Sequence, residues 1–134
     1  WFETRESISS SDFSDEAYVS LPPRSLLRGR SDQILNTLKI HPHYKFEASF
    51  AAMACQMVAG NCGVALTDPL AALAHLHRGI VVKRFTPSIP LHYGLAFPIG
   101  HERSEVSIFF ENVLRDVFSK KCRALAENLD LVSP

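Results

Sequence analysis

Met57-Val-Ala-Gly60-Asn-Cys-Gly63-Val-Ala-Leu-Thr-Asp68-Pro69 carries the end of one helix, a strand and the start of the next helix in a single short stretch. Gly60, with Asn61 beside it, stops an apolar helical run. Gly63 to Thr67 is a continuous apolar run of strand length, suited to a central strand buried on both faces. Asp68-Pro69 then opens a helix, with proline at a first position where its missing amide costs nothing. Helix, strand and helix in such close order are the signature of an α/β chain with parallel strands.

The same alternation extends outward. Upstream, Tyr44 to Ala48 reads as a strand, and Ser49 is placed to cap a helix whose apolar residues run from Phe50 to Val58. Before it, Ala17 to Leu21 is a β-prone run ended by Pro22-Pro23, and Ser25 to Leu38 sets Leu26, Leu27, Ile34, Leu35 and Leu38 at helical spacing. Residues 6–15 are polar and turn-forming, a surface connection anchored by Ile8 and Phe13. Downstream, the helix opened by Asp68 runs to about His77 and ends at Gly79. Ile80 to Phe85 and Leu91 to Phe97 read as two strands around the proline-bracketed loop Thr86 to Pro90. The last element, Ser104 to about Glu127, is a long helix. Val106, Phe109, Phe110, Val113, Leu114, Val117, Phe118 and Leu125 form its apolar stripe, with Arg115, Lys120, Lys121 and Arg123 on the solvated side. The expectation is an α/β sandwich with a mainly parallel sheet flanked by helices.

Composition narrows the function classes. The chain has 134 residues, 46% of them hydrophobic, and its 14 Lys+Arg balance 14 Asp+Glu. Collagenous, disulfide-rich and wholly disordered chains are excluded. A neutral balance argues against a nucleic-acid footprint within these residues, since phosphate affinity comes from clustered basic side chains. Cys55, Cys62 and Cys122 are odd in number and lack CxxC spacing, which reads as reduced thiols in a cytoplasmic protein. No apolar run approaches the ~18 residues of a membrane span, so no membrane partner is expected. The start, Trp1 to Glu6, has neither the basic flank nor the apolar stretch of a signal peptide; it reads as a segment cut from a longer chain.

The chemistry-bearing residues point to binding rather than catalysis. His75 and His77, two apart on a helix, project about 200° apart and do not share a metal. His41-Pro42-His43 lies in a proline turn without a carboxylate or cysteine at ligand spacing. The Gly-x-Ser-x-Gly elbow of hydrolases is absent. Cys62 lies between a helix end and an apolar strand, as a small structural residue does. Gly60 to Gly63 follows a helix and precedes a strand, the reverse of a phosphate-cradling loop. Neither an enzyme nor a cofactor or metal is expected. In parallel α/β sheets, however, ligands bind where strands end and helix N-termini present unpaired amides. Three such corners occur: Ser20 to Ser25, with Pro22 and Arg24; Ala48 to Phe50, with Ser49; and Thr67 to Pro69, with Asp68. Helix ends and Arg24 suit a carboxylate, Asp68 an amine or guanidinium, and Phe50 an apolar contact. Taken singly, Ser49 and Asp68 read first as helix caps.

The order Asp12-Phe13, Ala17-Tyr-Val-Ser-Leu-Pro-Pro-Arg-Ser25-Leu-Leu-Arg28, Phe46-Glu-Ala-Ser49, Met57 to Pro69, Gly79-Ile-Val-Val and Pro87 to Phe97 resembles the effector-binding domain of LysR-type transcriptional regulators. It is most similar to members that sense amino acids or opines. Its most specific part is Val58 to Leu66, and it covers about Ser7 to Phe118. The resemblance implies a periplasmic-binding-protein-like (type 2) hinge fold of two subdomains with a small-molecule inducer in the cleft between them. Residues 16–78 would form the second subdomain, and 79–128 the return into the first with its long helix. By the same resemblance, an N-terminal helix-turn-helix that binds DNA, and the first half of the first subdomain, would lie outside this chain. Ser20, Pro22, Arg24, Ser25, Ser49 and Phe50 would line the pocket wall, with Asp68 near the hinge. The parent would be a cytoplasmic homo-dimer or tetramer; a transporter's solute-binding protein of the same fold is the alternative. The stripe with Phe109, Phe110 and Phe118 would be partly uncovered in these residues alone, which favours self-association or aggregation and weak inducer binding.

Overall fold

The structure, a computed structural model, describes residues 4–13, 16–100 and 102–128. The chain start and the side chain of Phe13, an anchor of the expected surface connection, lie outside the described residues. The contacts gather the chain into two compact units, residues 1–91 and 92–134.

In the first unit, β1 (Ser7–Ser9) leads through a 3₁₀ turn (Ser10–Phe13) to β2 (Ala17–Ser20). Then come α1 (Leu26–Thr37), β3 (His43–Glu47), α2 (Ala51–Ala59), α3 (Pro69–His75) with a 3₁₀ extension (Leu76–Arg78), and β4 (Arg84–Thr86). All pairing is parallel. β2 lies against β3 with Tyr18 opposite Tyr44 and Val19 opposite Phe46, so Lys45 is an extra residue in the ladder. β1 lies against β4, with Ile8 opposite Phe85. β2 is central: Val64 bridges its other side, donating to the Ala17 carbonyl and accepting from the Val19 amide, both at 2.8 Å.

Four local expectations are corrected. Gly63 to Thr67 makes a single bridge at Val64 and no ladder, because β2 is only four residues long and Pro22-Pro23 end it. Its side chains nonetheless reach both faces: Ala65 packs on the Val19 cluster, Val64 and Leu66 on Ile8 and Tyr18. The run from Ile80 pairs only over Arg84–Thr86, the length that β1 offers it. Leu91 to Phe97 forms no strand among the described residues; β-propensity needs a neighbour to pair with. Finally, Ser7–Ser9, read as connection, is a strand with Ile8 buried. Asp12 closes the turn behind it, its carboxylate accepting from the Ser9 amide at 2.8 Å and the Ser9 hydroxyl at 2.9 Å. Those bonds, with Arg5 adding, hold Asp12 below the usual carboxylate range against the effect of desolvation.

The main core joins Val19, Leu21, Leu27, Ala48 and Ala54, with Met57, Cys62, Ala65, Ile89 and Leu91 packed on it. Tyr18 and Val19 are almost wholly buried on opposite faces of β2. Cys55 is buried and Cys62 half-buried, both as free thiols.

The second unit is α4 (Glu105–Asn128), which the Ser104 hydroxyl caps by accepting from the Ser107 amide. Arg103 and Arg115 both pair with Glu111. Tyr93 packs on Phe118 at 5.4 Å between ring centroids. Much of the apolar stripe is open to solvent: Val106, Phe109, Phe110, Val113 and Val117 are all exposed.

Candidate functional site: three corners on one sheet edge

Because β2, β3 and the Val64 segment run parallel, each leaves the sheet at the same edge. The three expected corners are therefore neighbours. The first two are bonded directly, as the Ala48 amide donates to the Ser20 carbonyl at 2.8 Å. The third touches the helix that follows the second: burial pushes the Cys55 thiol up, and the Asp68 charge adds to this, against the pull of the Thr67 hydroxyl.

At the first corner, Ser20 is buried and its hydroxyl donates to the Phe46 carbonyl at 3.2 Å. Pro22 is half-buried, and its carbonyl accepts from the Ser25 amide at 2.8 Å, closing a turn. Ser25 caps α1 loosely, its hydroxyl 3.5 Å from the Arg28 amide. Arg24 is exposed and makes no hydrogen bond or ion pair among the described residues.

At the second corner the expected cap is corrected by one residue. Phe50 holds the N-cap position of α2 in extended conformation, with no side-chain cap bond, and Ser49 stands outside it and exposed. The Phe50 carbonyl takes the Met53 and Ala54 amides, which leaves Ala51 and Ala52 without an acceptor among the described residues. The Phe50 ring is 60% exposed. At the other end of α2, Gly60 is the C-cap, but Asn61 carries the left-handed turn, at φ 59°. Asn61 donates to the Val58 carbonyl and Cys62 to that of Met57, a Schellman closure.

At the third corner Asp68 is a cap in fact. Its Oδ1 accepts from the Ala71 amide at 2.9 Å, and its carbonyl from that of Ala72. The rim thus carries an exposed guanidinium on the first corner, two uncapped amides and an exposed phenyl ring on the second, and a capping carboxylate on the third. That set suits an anionic group on an apolar body.

A polar cluster behind the first corner escaped the reading of the sequence. Arg28 donates through Nε to Asp32 at 2.6 Å and through Nη1 to the Leu21 carbonyl at 3.0 Å. Its guanidinium lies 4.4 Å from the Tyr44 ring centroid, and the Tyr44 hydroxyl donates to the other Asp32 oxygen at 2.9 Å. Tyr18 meets the Tyr44 ring edge-on. Burial, with Tyr44 adding, pushes the Tyr18 phenol up to about 12, against hydrogen bonds to Ser31 and the Leu66 backbone. The i,i+4 spacing of Arg28 and Asp32 was the one available signal. Among the described residues no group of His, Cys, Asp and Glu is placed to hold a metal, and no helix is long and apolar enough to cross a membrane.

Comparison with known proteins shows the family. Residues 1–119 match the family model described as LysR substrate binding domain. The chain belongs to that family. LysR substrate-binding domains have the periplasmic-binding-protein-like type 2 fold, in keeping with the parallel strands and flanking helices here. Among its relatives, the regulatory protein NocR of Agrobacterium tumefaciens (strain T37) is 29% identical over 96 residues, 72% of this chain and 32% of NocR. The transcriptional activator protein LysR of Escherichia coli (strain K12) is 29% identical over 108 residues, 81% of this chain and 35% of that protein. This LysR-family chain spans about a third of the length of either. Both relatives carry the names of regulators.

Proposed function

We propose that these residues sense a small carboxylate-bearing metabolite, an amino acid or opine foremost, for a LysR-type transcriptional regulator. In this reading the metabolite sits in the cleft between the family's two subdomains. Residues 16–78 supply the second subdomain, and 79–128 return to the first. Ser20, Pro22, Arg24, Ser25, Ser49 and Phe50 form one wall, with Asp68 beside it. Binding shifts a hinge equilibrium, and a cytoplasmic homo-dimer or tetramer transmits the shift to helix-turn-helix domains outside these residues that hold DNA. No catalysis and no cofactor takes part.

The observation that carries this reading is the gathering of three helix-initiating corners on one edge of parallel strands, with Arg24 exposed among them. Its test is a thermal-shift screen of the full-length regulator against L-arginine, L-lysine, L-glutamate and aromatic acids. A ligand at a hundred times its dissociation constant adds about 2.7 kcal/mol to the native state. Arg24→Ala and Ser49→Ala are each expected to weaken a ligand so found and to leave operator affinity without it unchanged. Unaltered ligand affinity in both variants removes the site.

A further inference from the structure

The first corner has an unusual hydrogen-bond economy. Pro22 and Pro23 supply no amides, so two donors that normally pin a strand-to-helix turn are missing. The Ser20 carbonyl is taken by Ala48 on the next corner, but the Leu21 carbonyl, one residue further on, has left the sheet. Its partner is a side chain, Nη1 of Arg28, reaching back from the first turn of α1. The backbone bond that closes the corner runs from the Ser25 amide to the Pro22 carbonyl.

We propose that Arg28 is the positioning residue of this corner, fixing Pro22 to Ser25, and hence where Arg24 stands, by holding the Leu21 carbonyl. The inference rests on the corner being the ligand-contacting one. The guanidinium suits the task because its own orientation is determined. Asp32 fixes Nε, Tyr44 covers the face, and the Tyr44 hydroxyl fixes Asp32 in turn. The Arg28 side chain is only 16% exposed, so water competes little for these bonds. Through Tyr44 the same group rests on β3, the strand that leads to the second corner. Lysine, a single-point donor, does not serve Asp32, the carbonyl and the ring together.

Hydrogen exchange of the Ser25 amide in the full-length chain tests the assignment. Arg28→Lys is expected to speed that exchange by about tenfold or more while the amides of α2 keep their rates. Ile8→Ala, a core truncation on β1 that leaves the Arg28 cluster and the Leu21 bond in place, is expected to leave Ser25 within about twofold of wild type even where it lowers the melting temperature. A merely structural Arg28 makes Ser25 exchange follow global stability in both variants, and that result overturns the proposal. In the wild type, the Arg28 Nε–H resonance is expected to be sharp and slow to exchange; rapid exchange overturns the proposal without any variant. L-arginine titration adds the functional arm. Weaker binding in Arg28→Lys with unchanged binding in Ile8→Ala supports the link to the site. A wild type that ignores L-arginine and every other acid screened refutes the ligand reading and leaves the exchange result to decide Arg28.

Discussion

Gly63 has φ at +131°, and a Cβ built on it would lie 1.9 Å from the Ala17 carbonyl oxygen. That oxygen accepts the Val64 amide in the bridge to β2, so neither side has room to retreat. Gly63→Ala is expected to cost about 3 kcal/mol or more, read as a lower urea midpoint. A loss below about 1 kcal/mol would show that the bridge gives way cheaply. Tyr18 carries a pH signature. Its folded-state value of about 12 lies above the ordinary 10 of the unfolded chain, so the native state holds the proton longer. Its contribution is complete below pH 10 and is lost as pH rises toward 12. The difference amounts to about 2–3 kcal/mol, a loss that Tyr18→Phe removes in denaturation curves taken across that range. Asp68 separates two roles in one residue. Asn caps as well as Asp, so Asp68→Asn is expected to keep stability within about 0.5 kcal/mol. If the carboxylate also meets a cationic ligand group, the same variant weakens L-arginine binding; equal affinity assigns Asp68 to capping alone.

Among the elements, α2 shows how the chain's own signals compete. Its C-terminus was legible as a stop, but the left-handed residue is Asn61, since Gly60 retains φ −83°. Asn61→Gly is expected to be tolerated, whereas a β-branched Asn61→Val costs about 1–2 kcal/mol in thermal unfolding. Its N-terminus begins one residue later than the favoured cap Ser49: Phe50, in extended conformation, accepts the Met53 and Ala54 amides with its carbonyl. Helices were otherwise readable to within a residue or two, as with Ser25 before α1 and Asp68 before α3, because their signals are local. Strands were less so. Ile80 to Lys83 and Leu91 to Phe97 have β-forming side chains, but a ladder's length is set by its neighbour, and β1, hidden in a serine-rich stretch, was the neighbour that mattered. The corners of the site could be found from strand–helix order alone. The Arg28 cluster could not, since it joins α1 to β3 through contacts that spacing does not encode.

At the scale of the whole molecule, the stripe on α4 governs behaviour in solution. Phe109 and Phe110 are 70% and 64% exposed, with Val106, Val113 and Val117 on the same run. The ion pairs of Arg115 with Glu111 and Lys120 with Asp116 are on the surface and contribute little. These 134 residues by themselves are therefore expected to sediment as dimers or larger species, and Phe109→Ser with Phe110→Ser to shift them toward monomer. A monodisperse monomer at micromolar concentration counts against the expectation.

β2 has a consequence of another kind. Tyr18 and Val19 are sealed between two neighbours, whereas Arg24, just beyond β2, and Ser49 and Phe50, just beyond β3, face water. Evolution can thus retune the rim by trading side chains at the turns while the foundation beneath them stays frozen. A saturation library would show this as tolerance at 24, 49 and 50 beside near-total intolerance at 18 and 19.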